Sequence, residues 1–449
     1  MGQDMSRRKF VGILGVAGAC AAGAGSGLVG CSAPASTDGS SQENTVDVPW
    51  ETSVTADKIV VVSDLHFGAD DRFAQTVSDR SLFVEFIETL VGAGDVRELV
   101  IAGDFLDEWI VPLSYPAHSD SDKLYQQCIS NNQQVFDGLG KAIESGIKVV
   151  YVPGNHDMTL SEEVLAEELP DMVQARDAAG LGVHVTGDRN EIAIEHCHRY
   201  DVYSAPDTVS NRDIAAGGET MLPPGYFYAQ LGTEWAAEGK PSNTVDFPKI
   251  EQVPPSSDVD QTGAYLHYHV MTSILLAKYT PSLEFDEKVF RATFDGLEGP
   301  YSEYDLCPRL MDDGTISAPT LYKNFQRTWD ERQDVNEVQV KSPFIEAAMG
   351  TSSIEYFRNQ AIRQYLENPD NDIEVVVFGH THVPDFYDLG DGRYYVNDGT
   401  WIDTNLNADP DLTRTFAVIT TGDVDSAALY QYGTDGSISD ITAASSTQA

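Results

Sequence analysis

Positive charge is what this chain has least of. Lys and Arg number 28 against 71 Asp and Glu in 449 residues, a formal net charge of -43. Such a chain lacks the basic footprint of a nucleic-acid binder and repels a phosphate backbone at long range, which disfavours a nuclease acting on long polymers. The surplus acidity reads as a solvated surface. Cysteine is scarce too. Of five, Cys20 and Cys31 lie near the N-terminus, and Cys128, Cys197 and Cys307 are an odd number at no metal-like spacing, so no disulfide framework is implied. No internal repeat is evident.

What is present suits a packed protein. Hydrophobic residues make up 41% and aromatics 10%, enough for a substantial core. The length exceeds what one core usually organises, so one catalytic-sized domain with additions is expected.

The first thirty residues read as an address. Ser6-Arg7-Arg8-Lys9-Phe10 precedes an uncharged Gly/Ala-rich stretch from Val11 to Gly30, and the paired arginines read as a twin-arginine export signal. Leu28-Val29-Gly30-Cys31 resembles the lipobox of bacterial lipoproteins, with Cys31 the lipidated mature end. The competing reading, an uncleaved anchor, is weakened by so much glycine. Residues 31–56 are polar and aperiodic, a flexible tether. The expectation is an exported, cell-envelope lipoprotein held to the membrane through Cys31. Twin-arginine export carries folded proteins, consistent with an enzyme loaded with its cofactor before transport.

From Asp57 short apolar runs alternate with amphipathic stretches. Lys58 to Asp64, Glu98 to Ala102 and Ile147 to Val152 are β-branched strand patterns, separated by a helix beginning at a Ser78/Asp79 cap and another from about Ser121 to Ser145. This β-α-β-α-β order predicts an α/β sheet packed against helices. Val183 to His196 reads as a hairpin. Between 205 and 342 strand signals fade, and helix-like pieces at Tyr226 to Glu238, Ala264 to Lys278 and Glu287 to Phe294 suggest a mainly helical insertion or cap. The alternation returns with a helix near Ser352 to Leu366, the strand Ile373 to Phe378, a hairpin through Asp388 to Arg393 and a strand around Phe416 to Thr420. The segments are thus 1–30 signal, 31–56 tether, 57–204 and 343–435 the two parts of the domain, 205–342 insertion, and 436–449 a disordered tail.

Four polar clusters each sit where an apolar strand ends: Asp64-Leu65-His66, Gly103-Asp104-Phe105-Leu106-Asp107, Gly154-Asn155-His156-Asp157 and Gly379-His380-Thr381-His382. Loops beyond the carboxyl ends of strands in an open α/β sheet converge on one crevice. Singly each cluster is weak; four in this order are hard to produce by chance. The set DLH, GDFLD, GNHD and GHTH, with an intervening histidine, resembles the calcineurin-like metallophosphoesterase superfamily over roughly Lys58 to Asp201 and Ile373 to Trp401.

The resemblance implies two facing mixed β-sheets flanked by helices and a two-metal centre. By it, Asp64, His66 and His382 hold one metal, Asn155, His196 and His380 the other, and Asp104 bridges both. The family usually has His-Gly-His or His-Gly-Asp at the intervening ligand. Here Cys197 replaces the glycine in His196-Cys197-His198, leaving His198 as an alternative ligand and Cys197 as a tolerated small residue, a soft ligand or an oxidation-prone thiol. By the same resemblance His156 reaches the scissile phosphate and Asp107 orients it, while Asn397 to Trp401 supports the site. Two divalent ions about 4 Å apart clamp the oxygens of an in-line displacement and lower the pKa of a bridging water towards hydroxide. Oxygen and nitrogen ligands without thiolate favour Mn, Fe, Zn or Co over Mg or Ca. His267 and His269 read as structural or cap residues.

The expected activity is hydrolysis of a phosphomonoester, phosphodiester or pyrophosphate by a metal-bound hydroxide. A small, nucleotide-like or lipid-linked substrate is suggested by the His-Cys-His-Arg-Tyr-Asp segment. The alternative is a surface protein that keeps the metal fold to bind a partner; against it, no ligand is missing.

Overall fold

The computed structural model describes residues 49–50, 56–112, 115, 120–215, 221–237, 250, 252–255, 257–270, 288–294, 297–351 and 353–446. The expected signal and most of the tether lie outside them. No helix among the described residues is long and apolar enough to cross a membrane.

In chain order the strands are β1 (Lys58–Val62), β2 (Phe67–Gly68), β3 (Val96–Ala102), β4 (Leu106–Asp107), β5 (Lys148–Val152), β6 (Val173–Gln174), β7 (His184–Thr186), β8 (Ile192–Glu195), β9 (Lys288–Phe294), β10 (Leu297–Ser302), β11 (Arg309–Leu310), β12 (Ile316–Ser317), β13 (Val375–Phe378), β14 (Asp385–Gly390), β15 (Arg393–Asn397), β16 (Thr415–Thr420), β17 (Ser426–Tyr432) and β18 (Ile438–Asp440). Seven form a mixed sheet in the order β18-β17-β16-β1-β3-β5-β6, parallel from β1 to β6 and antiparallel on the other side. Five form a second mixed sheet, β14-β15-β13-β8-β7, whose central three strands are parallel.

Side-chain alternation builds three layers of core. On β1, Ile59 and Val61 face the second sheet, where Ile192, Ile194, Val375 and Val377 meet them. Their neighbours Val60 and Val62 face the other way, onto Phe83, Phe86 and Leu90 of the helix Arg80–Ala93 and Leu139 of the helix Gln133–Glu144. Successive strand residues point to opposite faces, so a run apolar at every position buries both. The outer face of the second sheet, with Ala193, Val376, Phe378 and Tyr395, packs on Phe357 and Ala361 and on aromatic residues of the insertion. The result is the expected sandwich of two mixed sheets between helical layers.

Several local expectations change. The stretch 121–145 is two helices, Ser121–Asn131 and Gln133–Glu144. Asn132 breaks it: its Nδ2 donates to the carbonyls of Gly68 and Cys128 at 3.0 and 2.7 Å, and such side-chain bonding competes with the helix. Asp79 makes no side-chain cap; the carboxylate of Asp403 instead accepts from the Val77, Ser78 and Asp79 N–H groups. Within 205–342 the piece expected as a helix at 287–294 is strand β9, paired with β10 across a two-residue connection. Its Val-Phe-Arg-Ala-Thr-Phe sequence is rich in β-branched and aromatic residues, and pairing overrides the helix reading. The helices Pro224–Ala237 and Val259–His267 do occur there, while residues 271–278 lie outside the described residues.

The tail expected to be disordered is ordered through 446. Ile438 of β18 is buried, and Leu429 donates its N–H to Thr442 Oγ1 at 2.9 Å. Ile441 packs on the core between the sheets and donates its N–H to the Leu429 carbonyl.

Candidate metal centre

The seven expected ligands leave the carboxyl ends of five parallel strands. Asp64 and His66 follow β1, Asp104 follows β3, Asn155 follows β5, His196 follows β8, and His380 and His382 follow β13. Asp64, His66, Asp104, His380 and His382 all have positive φ, between 44° and 71°. Non-glycine residues seldom adopt this region, and strain of about 1 kcal/mol each persists only where the surroundings over-determine it. Two glycines make room for these loops: a Cβ on Gly154 would lie 2.2 Å from the Asp104 N atom, and one on Gly379 would lie 2.5 Å from Ser63 Oγ.

The donors converge in two groups. In one, His66 Nε2 and His382 Nε2 are 3.2 Å apart, Asp64 Oδ1 is 3.0 Å from His382 Nε2, and Asp104 Oδ2 is 3.6 Å from His66 Nε2. In the other, Asn155 Oδ1 stands 3.0 Å from His196 Nε2 and 2.8 Å from His380 Nδ1, with Asp104 Oδ2 at 3.3 Å from His196 Nε2. Asp104 Oδ2 thus reaches both groups. All seven residues are buried.

Three of the four imidazoles face acceptors with their far nitrogens, while Nδ1 of His382 is buried without one. His66 Nδ1 faces Asp107 Oδ2 at 3.0 Å, His196 Nδ1 faces the Ala102 carbonyl at 2.8 Å, and His380 Nε2 faces Asp201 Oδ2 at 3.1 Å. An imidazole that spends its proton outward presents a lone pair inward, which is the arrangement metal-ligating histidines require. The residues therefore fit a pair of transition-metal ions.

Electrostatics agree. Burial alone would raise the carboxyl of Asp64, yet His382 and His196 hold it well below the usual range, and His196, His156 and His66 do the same for Asp104. Burial would lower His196, but Asp104 and Asp64 bring it up to about 9. Ionised carboxylates among crowded imidazoles make a cation-attracting donor set.

His156 sits beside this set. Its Nδ1 faces Asp107 Oδ1 at 3.0 Å, so one carboxylate spans His156 and His66. Its Nε2 is buried and has no partner. The backbone N–H groups of Trp109 and Ile110 donate to the same Asp107 oxygen, and the Trp109 ring stacks on His156 with centroids 4.3 Å apart. The insertion closes over that indole with the Tyr226 ring, edge-on with centroids 6.0 Å apart, and Gln230 Nε2 donates to the Trp109 carbonyl at 2.9 Å.

The remaining candidates lie outside the donor set. His198 donates from Nε2 to the Gly180 carbonyl at 3.0 Å, and burial beside His196 and His380 pushes its pKa well down. Cys197 adopts φ 72°, the conformation in which glycine is favoured, and burial pushes its thiol up, away from the thiolate a soft ligand needs. Cys128, Cys197 and Cys307 are buried and take part in no disulfide among the described residues. His267 faces Tyr228 at 3.1 Å in the insertion, and burial brings it down to about 3; exposed His269 stacks on Tyr265. The segment Asn397 to Trp401 braces the site: Asn397 Nδ2 donates to the Gly379 carbonyl, and Thr400 Oγ1 and the Trp401 N–H donate to the Asp64 carbonyl.

Trp109 and Asp201 were not singled out from sequence. The sole signal for either was adjacency, Trp109 two residues after Asp107 and Asp201 closing the His196–Asp201 segment.

Residues 57–221 match the family model described as calcineurin-like phosphoesterase. The matched stretch holds seven of the nine expected site residues, from Asp64 to His196. No curated protein matches the chain. Among solved structures, it resembles a nuclease, MPE, from Pseudomonas putida at 19% identity, over 29% of this chain and 55% of that one, with a TM-score of 0.19. The chain thus spans about half of that nuclease. It also resembles a dimetal phosphatase from Danio rerio at 10% identity, over 84% of this chain and 95% of that one, with a TM-score of 0.32.

Proposed function

We propose that this protein is an exported phosphoesterase that hydrolyses a phosphomonoester, phosphodiester or pyrophosphate bond of a small substrate at a dinuclear centre. The observation that carries the reading is His156 Nε2, buried and without a partner, beside two convergent donor groups that share Asp104. Two transition-metal ions, of the Mn, Fe or Zn kind, would supply Lewis acidity and a nucleophile at neutral pH. Asp64, His66 and His382 would hold one, Asn155, His196 and His380 the other, and Asp104 both. The chain's own residues do the rest. Asp107 fixes the proton of His156 on Nδ1 or stabilises the doubly protonated ring, so that Nε2 meets a phosphoryl or leaving oxygen. Trp109, lying flat on that ring, holds its orientation and keeps water from one face.

Export and membrane attachment through Cys31 rest on the sequence of the first 31 residues. A nucleotide-like or lipid-linked substrate rests on the His196–Asp201 segment, and the high negative charge weighs against long nucleic acid.

The test is purification of the mature domain, metal analysis, and assay against an aryl phosphate, its diester and a pyrophosphate. Wild type holding two metals but cleaving nothing across the panel would reject catalysis in favour of a metal-bearing surface protein that binds a partner. The mass of the mature N-terminus decides the lipoprotein reading: an unmodified Met1 end rejects it.

A further inference from the structure

We propose that Asp201 is a positioning residue that fixes the tautomer of His380 and so sets the strength of the second ligand group. The inference rests on the dinuclear reading above.

Asp201 follows the turn His198–Tyr200 and is buried. Its Oδ2 lies 3.1 Å from His380 Nε2 and 3.1 Å from Ser204 Oγ; its Oδ1 accepts from the Tyr203 N–H at 2.9 Å and from Thr351 Oγ1. Four donors on two oxygens hold the carboxylate still. The Tyr203 N–H, Ser204 Oγ and Thr351 Oγ1 all donate to this carboxylate, so it also faces His380 Nε2 as an acceptor, which leaves the ring's lone pair on Nδ1. That lone pair faces Asn155 Oδ1, itself an acceptor, at 2.8 Å. Two acceptors at that distance share a cation. The Phe357 ring lies edge-on to His380, with centroids 5.4 Å apart.

The same carboxylate joins the centre to the chain returning from the insertion. Thr351 follows the helix Phe344–Gly350, and Arg332 of the insertion donates to the carbonyls of Val202 and Ala205 just beyond Asp201. The alternative role is that Asp201 merely caps its own turn through Tyr203 and Ser204.

Asp201→Asn separates the two roles. Its side-chain oxygen can keep the Tyr203 and Thr351 bonds, while its NH₂ faces His380 Nε2 and drives the ring proton onto Nδ1, against the metal. Manganese(II) binding to the metal-stripped full chain, followed by calorimetry and metal analysis, should show one of two ions weakened 10- to 100-fold, about what loss of such a partner costs. The Tm of the metal-free protein should stay within a few degrees. Unchanged affinities for both ions overturn the proposal, with or without a fall in Tm. Should Asp201→Asn fail to fold, Thr351→Val decides by the same readout: weakening of one ion by several-fold supports the proposal, and no change overturns it. Hydrolysis is not the readout. Wild type that binds two ions and cleaves nothing rejects the proposed function alone; an active wild type with an indifferent Asp201→Asn rejects this inference alone.

Discussion

Between the two sheets, Ile59, Val61, Val100 and Val150 meet Ile192, Ile194, Val375 and Val377 in a layer of aliphatic side chains. Against the outer face of the second sheet, the insertion packs Tyr226, Phe227, Tyr322, Phe325 and Trp329, and much of its attachment is polar. Arg332 is buried against Asp207 and donates to the Val202 and Ala205 carbonyls, and Asn336 Nδ2 donates to the Pro206 carbonyl. The aliphatic layer specifies little beyond volume and alternation, and leaves polar chemistry to the loops at its edge. Directional bonds tie the insertion to its own entry segment, 202–207, just beyond Asp201, and to the Trp109 carbonyl. Stability of the sandwich and placement of the insertion should therefore respond to different substitutions.

Asp104→Asn should have the largest effect. Replacing the oxygen common to both donor groups should remove both metals and bring hydrolysis to background, read by metal analysis and initial rates. His156→Ala comes next. Metal content should be kept while kcat falls by ~10²–10⁴-fold, the usual worth of a positioned acid or base; loss of metal with activity would make His156 part of the donor set. Arg332→Leu tests the insertion alone. It strands Asp207 and two carbonyls, which should cost about 3–5 kcal/mol, seen as a lower Tm and faster proteolysis within 205–342. Manganese affinity should change less than in Asp201→Asn, and an equal change would mean that insertion and centre are one unit.

Glu98→Gln should be smallest and confined to the sheet. Against burial, which would raise it, His184, Thr186 and Lys148 hold the Glu98 carboxyl down from 4.5 to about 2. A depressed acid stabilises fully above its unfolded value and loses that contribution as pH falls through its folded one. About 1–2 kcal/mol should thus disappear between roughly pH 4.5 and pH 2 in the wild type and be missing throughout in the variant, measured by denaturant titration at each pH.

Much of the sandwich was legible because its strands are apolar at consecutive positions and flanked by glycine and polar residues, as in Lys58–Val62 and Val375–Phe378. The break at Asn132 was not, because it depends on a carbonyl, Gly68, sixty-four residues away. Strand β9 was missed for a similar reason: a single edge segment with mixed periodicity takes its conformation from the partner it pairs with. At the centre, ligand types could be read because aspartate, asparagine and histidine at strand exits are few. Their strain could not, since positive φ at Asp64 or His382 is imposed by neighbours.

What the sequence by itself determined was the chemistry available: carboxylate, amide and imidazole ligands at five strand ends, a neighbouring His156 with Asp107, and too little positive charge for a nucleic-acid surface. Only the tertiary structure decided which nitrogen of His66, His196 and His380 points inward, that Asp107 serves both His66 and His156, and that Asp201 stands behind His380. A sequence pattern fixes which groups arrive at the end of a sheet. The protonated edge of an imidazole is chosen by the acceptor behind it, and those acceptors lie 41, 94 and 179 positions away along the chain.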